Sequence, residues 1–326
     1  MKKSDKGIGL TDFVEGFLFS LQAEGRAPRT HEYYYKLLKH FLSYAKAQNW
    51  PDNINYLDAK LIRQFLSWVG SRTIEYTAGN GSHRFSKSKP STAWPYFKAL
   101  RRLFNWGVEE GLVEESPLKD IHFKAPPPPP VQPYDKDELN QLLAVCELDI
   151  KTGSRFIGLR NKASILLYID SGLRLSEQVN LNLADLNLEK KLVRVIGKGN
   201  KVGICPFSSK TAKAIWLYLL ERKHRAKSDA LWVTEEGKRF TASGLASSFV
   251  YLKKRAGISG PGRVHRLRHT SALQYLRGAK DSFLLQLFLR HEDLTMSRRY
   301  TQGLKQEEAI EAHRNGASPV EGLGLG

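Results

Sequence analysis

The chain has 326 residues, enough for two domains at roughly 100–200 residues each. Its 51 Lys+Arg against 33 Asp+Glu leave a formal charge of +18, which points to a polyanionic partner: nucleic acid first, or an anionic membrane surface. No run of about 18 apolar residues offers a membrane span, Met1-Lys2-Lys3-Ser4-Asp5-Lys6 leads into no apolar signal core, and Cys146 and Cys205 lack metal-ligand spacing, so we expect a soluble, cytoplasmic protein with reduced thiols, no zinc and no disulfide.

In the first 120 residues the apolar spacing is helical throughout. Leu10 to Leu21 is an amphipathic stretch, and Thr30 is placed to cap a second helix carrying Tyr34, Leu38, Phe41 and Tyr44 at intervals of three and four. A third helix covers about Ala59 to Val69. The fourth, from about Thr92 to Glu110, sets Phe97, Leu100, Leu103, Phe104 and Val108 on one side. It leaves Lys98, Arg101 and Arg102 for another, a basic face suited to phosphates or simply solvated. Between the third and fourth helices, Ser71 to Pro90 is rich in Gly, Ser and Lys and holds Arg72, His83, Arg84, Lys87 and Lys89. That composition predicts a mobile basic loop, ordered by DNA.

Lys124-Ala125 then runs into Pro126 to Pro130 and on to Val131-Gln132-Pro133, which neither a helix nor a central strand accommodates. Such a run extends at about 3.1 Å per residue and acts as a semi-rigid spacer between domains. A docking site for a proline-recognising module is the competing reading.

Beyond the spacer the pattern is mixed. Asp135 to Cys146 reads as a helix, and a second, from about Gly158 to Ile169, stops at Ser171-Gly172. Ser176 is placed to cap a short helix, leaving Arg174 at the junction. Leu192 to Ile196 reads as a strand, Gly197-Lys198-Gly199-Asn200 as a tight turn, and Val202 to Pro206 as the returning strand. Helices are expected near Lys210 to His224 and Thr241 to Ala256, and Val264 to Thr270 opens another that puts His265 and Arg268 on one face.

Arg174, Lys198, His265, Arg268, His291 and Tyr300 are together what breaking a phosphodiester bond without a metal requires. A tyrosine oxygen can attack phosphorus, while cations neutralise charge on the phosphate oxygens and protonate the leaving oxygen. Taken singly, each has an ordinary explanation as a surface charge, a helix-end residue or a core-edge ring. Glu177 alone would be a first-turn acid stabilising a helix start. It is their order and local context that give the set its meaning.

Ser171-Gly172-Leu173-Arg174-Leu175-Ser176-Glu177, Gly197-Lys198-Gly199-Asn200-Lys201, His265-Arg266-Leu267-Arg268-His269-Thr270, Leu289-Arg290-His291 and Ser297-Arg298-Arg299-Tyr300-Thr301 resemble the successive signatures of the tyrosine recombinase (phage integrase/Xer-type) family. The likeness covers about Asp135 to His313. It extends upstream through Thr30, Tyr34, Leu38 and Phe41, and through Leu100, Asn105-Trp106, Gly111 and Pro117, to a helical core-binding domain.

The resemblance implies a mainly α fold with a small β-sheet, in which a helical domain and an α+β catalytic domain close on double-stranded DNA as a C-shaped clamp. It implies Tyr300 as nucleophile, forming a 3′-phosphotyrosine bond, with Arg174, Arg268 and His291 on the phosphate. Lys198 would protonate the leaving 5′-oxygen, Lys201 being the alternative; His265 would assist and Glu177 would brace. It further implies no cofactor, metal or ATP, and a homotetramer on two sites that exchanges strands through a Holliday junction. The expected divisions are 1–123 core-binding, 124–133 linker, 134–304 catalytic, and 305–326 a helix with a Gly-rich tail. That helix either docks on a neighbouring subunit, as in relatives, or folds back on its own domain.

Departures are visible. Arg290 stands where the family usually has glycine, which would alter a helix end or add a phosphate contact. Gln302 replaces a frequent histidine, and Pro95 lies early in the fourth helix. Two other functions remain: a type IB topoisomerase-like relaxing enzyme, and a non-cleaving architectural DNA-binding protein.

Overall fold

A computed structural model of the protein describes residues 7–77, 83–127, 132–197, 201–260 and 264–290. The chain forms two compact units, one on each side of the proline run.

The first unit holds α1 (Leu10–Ala23), α2 (Pro28–Ala47), α3 (Ala59–Ser71), a hairpin of β1 (Thr73–Thr77) and β2 (His83–Lys87), and α4 (Ala93–Glu109). Thr30 does not cap α2. The helix begins two residues earlier with Pro28 in its first turn, where a missing N–H costs nothing and the fixed φ suits a helix start. Asp58 caps α3 by accepting the Leu61 N–H at 2.8 Å. Pro95 sits in the first turn of α4, the place where proline is tolerated.

The buried side of α4 runs through Tyr96, Leu100, Leu103, Phe104 and Gly107, which turns Val108 to solvent, contrary to expectation. Phe13, Phe17, Phe41, Phe65 and Phe104 are fully buried, and the Trp106 ring lies 5.5 Å from Phe13 and 5.7 Å from Phe17. Each such side chain contributes about 1.5–3 kcal/mol by leaving water.

The expected loop between α3 and α4 is instead the β1–β2 hairpin, paired antiparallel from Thr73↔Lys87 to Thr77↔His83. Thr73-Ile74-Glu75-Tyr76-Thr77 has the β-branched and aromatic residues that favour a strand, and these outweigh the loop-like composition around them.

The second unit comprises α5 (Lys136–Lys151), α6 (Arg155–Ser171), α7 (Leu175–Asn180), β3 (Leu186–Asn187), β4 (Leu192–Ile196), β5 (Val202–Pro206), α8 (Ser209–Arg222), α9 (Ala242–Arg255), α10 (His265–Ala279) and α11 (Ser282–Leu289). The sheet is antiparallel in the order β3-β4-β5; the two-residue β3 carries no sequence alternation that would have announced it. Val193 and Val195 of β4 are buried while Arg194 and Ile196 are exposed, as a half-buried strand requires.

Helix α6 is the axis of this unit, packing against α5, α8 and α10. It is buried on several sides, with Phe156, Leu159, Ala163 and Leu167 in one core and Ile165 and Tyr168 in another. Asp135 and Glu138 form a capping box that starts α5.

The chain entering this unit is fastened to α10. Arg266 donates to the carbonyls of Gln132 and Pro133 and to Glu138, and stands 3.9 Å over the Tyr134 ring. The Tyr134 N–H donates to Thr270 Oγ1 at 2.7 Å.

Candidate active site

The site begins where α6 ends. Gly172 closes that helix in the left-handed conformation, φ 57°, and a Cβ there would meet Leu289, Phe288 and Ser271 at 3.0–3.1 Å. Only glycine meets both demands, and the turn it permits sends the chain directly into Arg174.

Arg174, not Ser176, occupies the N-cap position of α7. The helix starts one residue before Ser176, at Leu175, and Glu177, three residues after Arg174, accepts the Arg174 N–H at 2.8 Å. The same carboxylate takes the Arg174 guanidinium through Oε1 at 2.7 Å. The other terminal nitrogen of Arg174 donates to the Arg290 carbonyl at 3.3 Å.

Arg268 is only 2% exposed. Its guanidinium donates to the Gly172 carbonyl and, at 2.8 Å, to the Leu289 carbonyl. Arg174, itself in the 172–174 turn, and Arg268, bonded to that turn, thus both fasten to the end of α11, and His291 is the next residue in the chain after that end.

Glu177 is buried, with its side chain 2% exposed. Burial raises its pKa, but the Arg290 charge and the bonds from Arg174 outweigh burial and hold the carboxyl below the ordinary range. Tyr168, also buried near Arg268, is pushed in the other direction: burial raises its phenol far above the ordinary value despite the Arg268 charge. That ring is therefore a core residue and no nucleophile.

Gly197, where the turn between β4 and β5 begins, comes to the same place. The Gly197 N–H donates to the Lys201 carbonyl at 2.8 Å, and a Cβ on Gly197 would lie 3.9 Å from Glu177 Oε1. Lys201 is exposed at the end of this turn. His265 is exposed at the first position of α10, its ring 4.6 Å from that of His269. Lys198, His291 and Tyr300 lie outside the described residues, as do the segment from Lys305 to His313 and the tail after it.

Residues 133–307, more than half of the chain, match the model of the phage integrase family, and residues 10–125 match that of the phage integrase SAM-like domain. The chain belongs to the phage integrase family. It is similar to the tyrosine recombinase XerC of Chlamydia pneumoniae, 30% identical over 66% of this chain and 69% of that one. It is also similar to the tyrosine recombinase XerD of Listeria monocytogenes, 26% identical over 91% of this chain and 95% of that one. Among solved structures, a lambda integrase tetramer bound to a Holliday junction shares the fold, with a TM-score of 0.69 at 16% identity over 93% of this chain and 81% of that one. Family and relatives make this chain a site-specific tyrosine recombinase, and they do not favour the topoisomerase-like or architectural readings.

The DNA-contact candidates of this integrase lie in different settings. Lys98, with its ammonium 5.8 Å over Trp94, and Arg101 are exposed on α4. Arg102 is partly engaged, 3.7 Å from both Glu24 and Glu109. Lys87 and Lys89 are exposed at and just after the end of β2, and Arg84 lies within that strand, opposite Tyr76. Arg290 faces inward to protein partners.

Several functional neighbours had no sequence signal. Helical and strand periodicities say nothing of where a long side chain turns after a helix ends, so the meeting of Arg290 with Glu177, Gly203 and Cys205 was not foreseen. In the first unit, Arg72 stacks at 4.6 Å over Trp68 and donates to Tyr96 Oη at 3.4 Å, and that hydroxyl is also 2.7 Å from His40 Nδ1. Burial, followed by the Arg72 and Lys39 charges, lowers the His40 pKa, so this cluster carries its charge on Arg72.

Proposed function

We propose that this recombinase cleaves one strand of its DNA site at a time through a 3′-phosphotyrosine bond on Tyr300. The observation that carries the reading is the common anchorage of Arg174 and Arg268 beside the residue that precedes His291. Guanidinium forks match the non-bridging oxygens of a phosphate, and both arginines stay charged at any working pH. His291 adds a hydrogen bond to the same phosphate. Their preorganisation places positive charge where the pentacovalent transition state builds negative charge.

Tyr300 attacks phosphorus, losing its proton with help from His265, and the phosphodiester energy is kept in the new ester. Lys198, or Lys201 three residues on, protonates the departing 5′-oxygen. Glu177 braces Arg174. The chemistry needs neither metal nor ATP, because attack, charge neutralisation and proton transfer are all supplied by side chains. Lys98, Arg101, Lys87 and Lys89, with Arg84 and Arg102, contact the DNA backbone from the first unit, whose four helices and hairpin form the core-binding domain. Residues 134–304 form the catalytic domain.

The protein acts as a homotetramer on two sites and passes through a Holliday junction, as the similarity to the lambda integrase tetramer suggests, with residues from Lys305 onward docking on a neighbouring subunit. Nicked suicide duplexes tiled across the DNA that flanks the gene, incubated in EDTA and run on a denaturing gel, test the chemistry. A covalent adduct that disappears in Tyr300→Phe is expected. A metal requirement, or an adduct that survives the substitution, overturns the mechanism.

A further inference from the structure

We infer that Arg290 is a positioning residue for the phosphate-gripping arginines: it holds the Glu177 carboxylate from a second side and joins it to the lysine-bearing hairpin. The inference rests on the mechanism above and adds a residue to it.

Residue 290 touches Arg174 by two routes. Its carbonyl accepts from the Arg174 guanidinium at 3.3 Å, and its own guanidinium donates to Glu177 Oε2 at 2.8 Å, the carboxylate whose other oxygen holds Arg174. The arm lies along β5, where Nη1 is 2.7 Å from Cys205 Sγ, and folds back to the Phe288 carbonyl at 3.1 Å. Gly203 makes room for it, because a Cβ there would stand 2.6 Å from Arg290 Cδ. One side chain therefore touches the start of α7, the strand that leaves the lysine turn, and the end of α11.

The backbone makes this placement costly to keep. Arg290 has φ 54° and ψ 46°, left-handed values that are strained for a residue with a Cβ. Strain of that kind persists where surrounding contacts hold it, and here the contacts are those of the arm.

Charge gives the arm its use. Glu177 alone would cancel Arg174, leaving a neutral pair to meet an anionic phosphate. Burial pushes the Cys205 thiol up to about 11, partly opposed by the Arg290 charge, so it stays neutral, and among the described residues Glu177 is the anion that Arg290 contacts. With Arg290 sharing Glu177, the trio keeps one net positive charge and Arg174 keeps its orientation.

Arg290→Gly is the informative variant, since it relieves the left-handed backbone and removes only the arm. On the suicide duplex that the unsubstituted protein cleaves, single-turnover adduct formation should fall about tenfold or more while affinity for that duplex stays within about twofold. Methylguanidinium added to the variant should restore part of the rate. Arg290→Lys should fall between, because an ammonium lacks the fork that reaches Glu177 and Cys205 together. Gly203→Ala should reproduce the loss by displacing the arm, and adding it to Arg290→Gly should change little further.

Arg290→Gly cleaving at the unsubstituted rate overturns the inference and leaves the mechanism standing. A loss that tracks weakened binding and resists methylguanidinium also overturns it, making Arg290 a DNA contact instead. If the unsubstituted protein forms no Tyr300 adduct on any duplex, the mechanism fails and this inference fails with it.

Discussion

Glu177 is a carboxylate taken out of water, and it stays ionised only because two guanidiniums and a backbone N–H converge on it. Removing one member of a buried pair leaves an uncompensated charge, so Glu177→Ala should destabilise the catalytic unit by roughly 2–3 kcal/mol, discounted because the arginines keep some contact with water. Its pH signature is distinct. A carboxyl held below its ordinary value contributes stability that is present above that value, 4.5, and is lost as pH falls through the lower folded value. Denaturant unfolding of the protein and of Glu177→Gln should therefore differ by a constant amount above pH 4.5 and converge below it. Arg268 makes the companion case. Lysine cannot span the carbonyls of Gly172 and Leu289 together, so Arg268→Lys should lower adduct formation by about 10²-fold or more, as the loss of a transition-state donor does.

At the scale of elements, the site depends on where helices stop. Asp281 accepts the N–H groups of Phe283 and Leu284 at 2.7 and 3.1 Å and starts α11, the helix whose far end presents the Leu289 and Arg290 carbonyls. Asp281→Ala should cost about 1 kcal/mol and speed amide exchange across residues 282–289, with slower cleavage following from the loosened carbonyls. Both strands of the β4–β5 hairpin were legible to the residue, because alternating valines flank a Gly-Lys-Gly-Asn turn and no other local conformation suits that pattern. The β1–β2 hairpin was not, since the Gly/Ser/Lys-rich composition around it masks the strand-favouring Thr73 to Thr77. Ser176 does not cap α7 because the helix already begins at Leu175, which puts Ser176 inside its first turn, while Glu177 reaches back to the Arg174 N–H. The sequence nominates the reactive residues as a set because chemistry restricts which side chains serve, whereas it gives no sign of the Arg290 arm, whose course is decided by Gly203 across the fold.

For the whole molecule, the charge of +18 makes affinity depend on salt more than on any single contact. If about six phosphates are neutralised, the dissociation constant should rise roughly 10³-fold between about 50 and 200 mM salt, and Lys98→Ala should weaken binding to matched and unmatched duplexes alike while reducing the slope by about one. The division into two units was readable from the prolines, which neither a helix nor an inner strand accepts. What the prolines did not disclose is where the spacer is tied down. Arg266 and Thr270 grip Gln132, Pro133 and Tyr134, so the tether ends on the helix that bears His265 and Arg268. The entering segment consequently bears on α10 as well as on the start of α5, which it joins directly. In mechanical terms α10 is an anchor post, and the helix that carries His265 and Arg268 also holds the leading edge of the second unit.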